Sequence, residues 1–316
     1  MTTNKKVTVG IDIGGTNTVF GLVDEQGNCL MQNALKTSDY PLVEDFVSTV
    51  SSQVNNLIES NPNVTVVGMG IGAPNANFYT GTIEFAPNLS WEGIVPLTKL
   101  FAAHFNFPIF LTNDANAAAI GERIYGAAKG LNDFIMVTLG TGLGSGFVVN
   151  GDLVYGHDGF AGELGHTTVE LNGRQCGCGK KGCLETYASA TGIVKTAKEM
   201  MPSMPDSALH KLTELTSKAI ADVALQGDAL ALAIFDFTAE KLGFALANTV
   251  AITSPKCIVL FGGLAQSGDL ILKPTKKHME ANLLKIFKNK VAIVPSQLKA
   301  ADAAILGASA LAWQNI

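Results

Sequence analysis

One imidazole and three thiols lie close together in this chain, at His166, Cys176, Cys178 and Cys183. That is the ligand set of a tetrahedral Zn2+ site with no open position, a structural site rather than a hydrolytic one. Glycines at 177, 179 and 182 allow the tight turns that bring three sulfurs to one point, and Lys180 and Lys181 offset surplus thiolate charge. His157 competes for the fourth position; His166 is preferred because Glu163, His166 and Glu185 would then converge on one loop. The other two cysteines, Cys29 and Cys257, are isolated, so the clustering reads as metal binding and not as a disulfide framework.

Two glycine-rich turns offer a second kind of chemistry. Val7 to Ile13 leads into Gly14-Gly15-Thr16-Asn17, and Phe134 to Leu139 leads into Gly140-Thr141-Gly142-Leu143-Gly144-Ser145-Gly146. Backbone N–H groups in such turns approach phosphate oxygens unobstructed, with Thr16, Asn17 and Thr141 as side-chain donors. Neither turn ends in the Gly-Lys-Ser/Thr of a P-loop, and neither opens into a helix as a dinucleotide fingerprint does, since each feeds a second strand. Together they can straddle one polyphosphate such as ATP, and Asp12, just ahead of the first turn, can hold Mg2+ through water. Gly262-Gly263-Leu264, after the strand Ile258 to Phe261, is a third candidate, where small residues would admit a flat adenine.

Asp114 is the candidate general base. It follows the short apolar strand Ile109 to Thr112 and opens a helix of small residues, so it stands at a strand end where ligands gather. A carboxylate there can take the proton of an attacking hydroxyl. Capping that helix is the plainer role for the same residue. Asn88, Asn113, Asp114, Glu163, His166 and Glu185 form the inventory of acids, amides and imidazole that a sugar's hydroxyls require. If one ring nitrogen of His166 binds zinc, the other is left for a hydroxyl.

The elements that must position these residues alternate strand and helix, which makes the chain an α/β protein. The strand–turn–strand plan occurs twice and suggests two related lobes. Pro41 to Glu59 reads as a helix, Val64 to Ile71 as a buried strand, Ala229 to Ile252 as a long buried helix, Cys257 to Phe261 as a strand and Ala300 to Trp313 as a closing helix. The expected division is an N-terminal lobe over 1–115, a C-terminal lobe with the zinc loop over 116–300, and a last helix, about 301–316, packing back onto the first lobe. With 47% hydrophobic and 16% charged residues among 316, both lobes can have substantial cores. A net charge of −5 argues against capture of a nucleic-acid backbone, which needs a basic face. Asp236, Glu240 and Lys241 interrupt the longest apolar run before membrane length, and Met1 to Lys6 lacks the apolar core of a signal peptide, so a cytoplasmic protein without membrane contact is expected.

In family order, the chain carries Asp12-Ile-Gly-Gly-Thr-Asn17, Pro87-Asn88-Leu-Ser-Trp91, Asn113-Asp114-Ala-Asn-Ala-Ala, Gly140-Thr-Gly-Leu-Gly-Ser-Gly146, Gly162-Glu-Leu-Gly-His166 and Cys176-Gly-Cys-Gly-Lys-Lys-Gly-Cys-Leu-Glu185. With these motifs it resembles the ROK family of bacterial sugar kinases and repressors over nearly its whole length, and most closely the family's glucokinases. The resemblance implies a two-lobed, actin-like (ribonuclease H-like) ATPase fold with ATP, Mg2+ and sugar in the interlobe cleft. It implies Asp114 as base, the two turns on phosphates, a structural Zn2+ on His166 and the three cysteines, and Asn88, Asn113, Glu163, His166 and Glu185 as sugar contacts. Glucose, phosphorylated to glucose 6-phosphate, is the expected acceptor, towards which Pro87-Asn88 and Trp91 lean. N-acetylmannosamine, N-acetylglucosamine, allose and fructose are alternatives within the class, and a non-catalytic sugar sensor is the alternative outside it. Family repressors carry a helix-turn-helix ahead of the first turn, for which the residues before Val7 are too few, so DNA reading is not expected. A homodimer or a pair of dimers is the implied assembly.

Overall fold

The computed structural model describes residues 4–298 and 302–316. Its chain divides into two compact units, one comprising the residues up to Gly130 with Leu153–Ala161 and Gln297–Ile316, the other Leu131–Asp152 with Gly162–Ser296.

The first unit begins with strands β1 (Lys5–Ile13), β2 (Asn17–Asp24) and β3 (Cys29–Lys36), a meander built on the first glycine-rich turn. Helix α1 (Val43–Glu59) follows, burying Phe46, Val50, Val54 and Leu57 at helical spacing, and leads to β4 (Val64–Ala73). A small antiparallel sheet of β5 (Ala76–Asn77), β6 (Thr82–Glu84) and β7 (Ile94–Val95) precedes α2 (Leu97–Ala102), β8 (Ile109–Asn113) and α3 (Asp114–Tyr125). The main sheet has the order β3-β2-β1-β4-β8; β1 pairs antiparallel with β2 and parallel with β4, which is parallel with β8.

The second unit repeats this plan. Strands β9 (Phe134–Leu139) and β10 (Leu143–Val149) form an antiparallel hairpin, extended by β11 (Asp152–Leu153). Helices α4 (Ala190–Met200), α5 (Ser217–Leu225) and α6 (Ala229–Thr253) lead to β12 (Cys257–Phe261), α7 (Asp269–Asn282) and β13 (Ala292–Pro295). The sheet order β11-β10-β9-β12-β13, again a hairpin followed by two parallel pairings, matches the first sheet position for position. Helix α6 starts at an Asp228 side chain that accepts from Ala231 N at 2.9 Å and ends at Ser254, whose φ of 48° leaves the helical region.

The last helix, α8 (Ala303–Asn315), belongs to the first unit, where it lies against β1, β4 and α3. The expected start of this helix at residues 300 and 301 lies outside the described residues. Its seat depends on missing side chains: a Cβ on Gly10 would strike the Ile305 carbonyl oxygen, and one on Gly70 the Ala308 carbonyl oxygen. Thr8 Oγ1 and Ser309 Oγ share a hydrogen bond at 2.7 Å across the same seam.

Two expectations need correcting. The first unit runs through Gly130 instead of ending at 115, because α3 packs on α8 through Ile120, Ala310 and Leu311. The second glycine-rich turn is also shorter than the sequence suggests: Leu143–Gly146 are already strand, with Gly144 opposite Thr138 and Gly146 opposite Met136. No helix among the described residues is long and apolar enough to cross a membrane.

Gly70→Ala should therefore lower stability by about 1–3 kcal/mol through overpacking against α8, read as a lower denaturant midpoint; an unchanged midpoint would mean that α8 can shift without cost.

Candidate functional site

In the first unit the candidate residues gather at the carboxyl ends of the parallel strands. Register places Asp12 of β1 beside Gly72 of β4, with Thr112 of β8 at the same level and Asn113 one step on. Strand β8 then turns directly into α3. Asn113 is the helix cap, its side-chain oxygen accepting from Ala115 N at 2.9 Å, which leaves its amide N–H groups for other partners. Asp114 Oδ1 accepts from the same N–H at 2.8 Å.

Asp114 is exposed to solvent at its residue surface, yet the protein packed around it disfavours its charge. Desolvation raises its pKa above the ordinary aspartate value, and the Ala115 N–H only partly opposes that rise. Asp12 is pushed up to about 7, first by desolvation and then by the charge of Asp114. Gly72 gives the two acids room: a Cβ there would lie 3.3 Å from Asp12 Oδ1 and 3.6 Å from Asp114 Cα. Two carboxylates so placed fit a cation, and the excess charge at Asp12 is where one would be held.

The first turn closes through Gly14 N to Asn17 O at 2.9 Å. Asn88 packs on this turn, its Cβ 3.1 Å from the place a Gly15 side chain would occupy. Trp91, of the same motif, is buried in the core; its ring centroid is 4.7 Å from that of Phe46, and Nε1 donates to Tyr40 O at 3.1 Å. Its effect on the site is to anchor the Asn88 loop.

In the second unit Gly140, Thr141 and Gly142 link β9 to β10. The carbonyl oxygens of Gly140 and Thr141 accept from Ala190 N and Thr191 Oγ1, each at 2.8 Å, so these contacts consume acceptors rather than the N–H groups a phosphate needs. Glu185 Oε2 accepts from Leu143 N at 3.1 Å. At the third candidate turn, Gly262 has a φ of 98° and Leu264 N donates to Leu139 O at 3.1 Å. The Leu264 side chain is wholly buried, so only its backbone and the two glycines can face a ligand.

His166, Cys176, Cys178 and Cys183 converge, their potential ligand atoms all lying within 4.8 Å of one another. Cys176 Sγ is 3.7 Å from His166 Nδ1, and Cys178 Sγ is 3.7 Å from Cys183 Sγ. His157 is exposed, belongs to the other compact unit and is not part of the cluster. With Nδ1 towards the sulfurs, His166 Nε2 faces outward, 4.0 Å from Glu163 Oε2. Burial raises the Cys176 thiol and pushes Cys183 up to about 12, whereas the Lys180 N–H lowers Cys178. A cation would supply the charge that lets all three ionise, and three thiols with one imidazole fit Zn2+.

Three positioning contacts were not among the expected site residues. Gly72 makes room for the paired acids, as above. Ser145 Oγ donates to Gly162 O and accepts from Leu164 N at 3.2 Å, fixing the backbone on either side of Glu163. Arg174 stacks 4.4 Å over the Tyr187 ring and donates to Thr186 O at 2.6 Å, pinning the cysteine loop to the segment that carries Glu185. Motif membership signals Ser145; Gly72 and Arg174 emerge only from register and packing.

A model of the ROK family matches residues 8–315. A glucokinase of Thermotoga maritima is 35% identical over 314 residues, covering 98% of each chain. A xylose repressor of Bacillus spizizenii is 29% identical over 99% of this chain and 79% of its own. Among solved structures, a ROK family glucokinase from Streptomyces griseus in complex with glucose and AMPPNP superposes with a TM-score of 0.81 at 34% identity, over 98% of this chain and 99% of that one.

Because the Asp12 pKa rises from 3.8 to about 7 on folding, its contribution to stability is complete below about pH 3.8 and is lost as pH rises through 7. Without added magnesium, Asp12→Asn should therefore gain melting temperature over the parent at pH 7.5 and much less at pH 4. Equal differences at both pH values would remove the raised pKa.

Proposed function

The chain belongs to the ROK family, and from that premise we propose that it is an ATP-dependent hexose kinase whose acceptor is glucose, converted to glucose 6-phosphate. Glucokinase relatives of nearly equal length and the actin-like fold shared with a glucose- and AMPPNP-bound glucokinase support the reading. The observation that carries it is Asp114, a solvent-reaching carboxylate at the start of α3 whose affinity for a proton the surrounding protein raises.

Asp114 accepts the proton of the sugar's 6-hydroxyl as its oxygen bonds to the γ-phosphorus of ATP; the bond from that phosphorus to the β–γ bridging oxygen breaks, and ADP leaves. A raised pKa suits this task, because the base must hold the proton once the hydroxyl has reacted. Asn88 and Asn113 supply amide groups, and Glu163, His166 Nε2 and Glu185 supply acid and imidazole partners, for the sugar hydroxyls. Gly14, Gly15, Thr16 and Asn17 offer N–H and hydroxyl donors suited to phosphate, as do Gly140, Thr141 and Gly142, and Gly263, where a Cβ would meet nothing within 4 Å, leaves space for adenine. Asp12 would hold Mg2+ through water, which when bound offsets the charge of the phosphates. His166, Cys176, Cys178 and Cys183 would hold a structural Zn2+, which when bound fixes the His166 ring and the loop that bears Glu185.

A coupled ADP-release assay with ATP and Mg2+ against hexoses and N-acetylhexosamines, with a no-sugar blank, tests the reading. Glucose should give the highest kcat/KM, and Asp114→Asn should slow turnover by about 100-fold or more while leaving glucose binding nearly unchanged. ADP release that ignores sugar, or an Asp114→Asn variant of ordinary speed, would refute it. Cys178→Ala should lower bound zinc, melting temperature and glucose affinity together, by metal analysis, calorimetry and titration; full zinc content in the variant would remove Cys178 from the ligand set.

A further inference from the structure

Glu185 lies in a single helical turn, Leu184–Thr186, directly after Cys183. Its two carboxylate oxygens face different structures. Oε1 is 3.6 Å from Cys176 Sγ in the cysteine cluster, while Oε2 accepts from Leu143 N, the first residue beyond the turn Gly140–Gly142. The carboxylate presses so closely on that turn that a Cβ on Gly142 would strike Oε2. The chain that follows reinforces the connection: Ser189 Oγ donates to Glu185 O at 2.7 Å, Ala190 N to Gly140 O at 2.8 Å, and Thr191 Oγ1 to Thr141 O at 2.8 Å. A continuous run from Cys183 to Thr191 therefore has a cluster thiol at one end and the phosphate turn along its length.

We propose that Glu185 is a positioning residue for the nucleotide, a splint through which the Cys/His cluster sets the conformation of the Gly140–Gly142 phosphate turn. The role is additional to any contact of Glu185 with sugar, and it rests on the kinase reading in that the turn must bind a phosphate. With no side chains of their own at 140 and 142, the turn residues cannot hold their conformation by packing; the carboxylate on Leu143 N and the two bonds to the Gly140 and Thr141 carbonyls do so from outside. The cluster holds the other end of the run at Cys183, whose backbone continues directly into the turn that carries Glu185. A cluster held together by its metal keeps the carboxylate in place; one that has come apart releases it. Metal at a site with no catalytic position thus governs affinity for ATP as well as for the acceptor.

The test measures binding of Mg2+-AMPPNP by calorimetry with no sugar present, on the full-length, zinc-loaded protein and after zinc removal by a chelator, magnesium being restored before titration. Glu185→Ala should weaken nucleotide binding about 5- to 20-fold, and zinc removal should do the same to the parent. In Glu185→Ala, zinc removal should add little, since both act through one contact. Glu185→Gln, which keeps an acceptor oxygen for Leu143 N, should restore most of the affinity, a rescue that general loosening would not give. Hydrogen exchange at the Leu143 amide provides a readout that does not depend on binding: it should speed up in Glu185→Ala and in the zinc-free parent. Normal nucleotide affinity in Glu185→Ala, fully additive losses, or an unchanged Leu143 exchange rate would overturn the splint and leave the kinase reading standing. Failure of the zinc-loaded parent to bind Mg2+-AMPPNP at all would instead bring down the kinase reading, and the splint with it.

Discussion

Two like charges compete for the space above Gly72. Asp12 arrives at the end of β1 and Asp114 at the start of α3, and the protein packed around them makes ionisation of both costly. Much of the first unit's construction bears on this pair. Parallel pairing of β1, β4 and β8 brings the strand ends level, the glycine in the middle strand makes the room, and Asn113 shares with Asp114 the Ala115 N–H at the start of the helix. Such a pair is uncomfortable by itself and becomes comfortable when a cation attends one acid and a proton the other. That is the division of labour phosphoryl transfer asks of a metal-holding group and a base.

The second unit solves a different problem with the same topology. Its glycine-rich turn has no carboxylate ahead of it in the strand; the acid comes instead from Glu185, far along the chain, next to the loop on which His166 and the three cysteines converge. The repeated sheet thus offers one turn with its acid built into the strand and one whose acid is supplied from outside.

What could be read from the sequence was whatever depends on neighbours in the chain. The two turns, the cysteine loop and the strand running into Asn113 and Asp114 are contiguous, and their residue types announce them. The long helix α6 was legible from its length and from the charges that interrupt it. The pairing of Asp12 with Gly72 was not, because register between parallel strands is set by packing across the sheet. Nor was the true length of the second turn: glycines at 144 and 146 look like turn residues, but they lie in strand where β10 pairs with β9. The burial of Trp91 was equally out of reach, since its neighbours in the chain do not say which way the ring packs. The small sheet β5–β7 is too short for any periodicity to mark.

The seat of α8 against β1 and β4 has a consequence for the protein's biosynthesis. Thr8 and Ser309 bond across 301 positions of sequence, so the first sheet leaves the ribosome with the groove at Gly10 and Gly70 uncovered. All the segments of the second unit, ending at Ser296, are made before α8 exists. The unit that starts first is therefore the last to be completed. Until α8 has been made, that open sheet face is exposed to contact with other apolar surfaces.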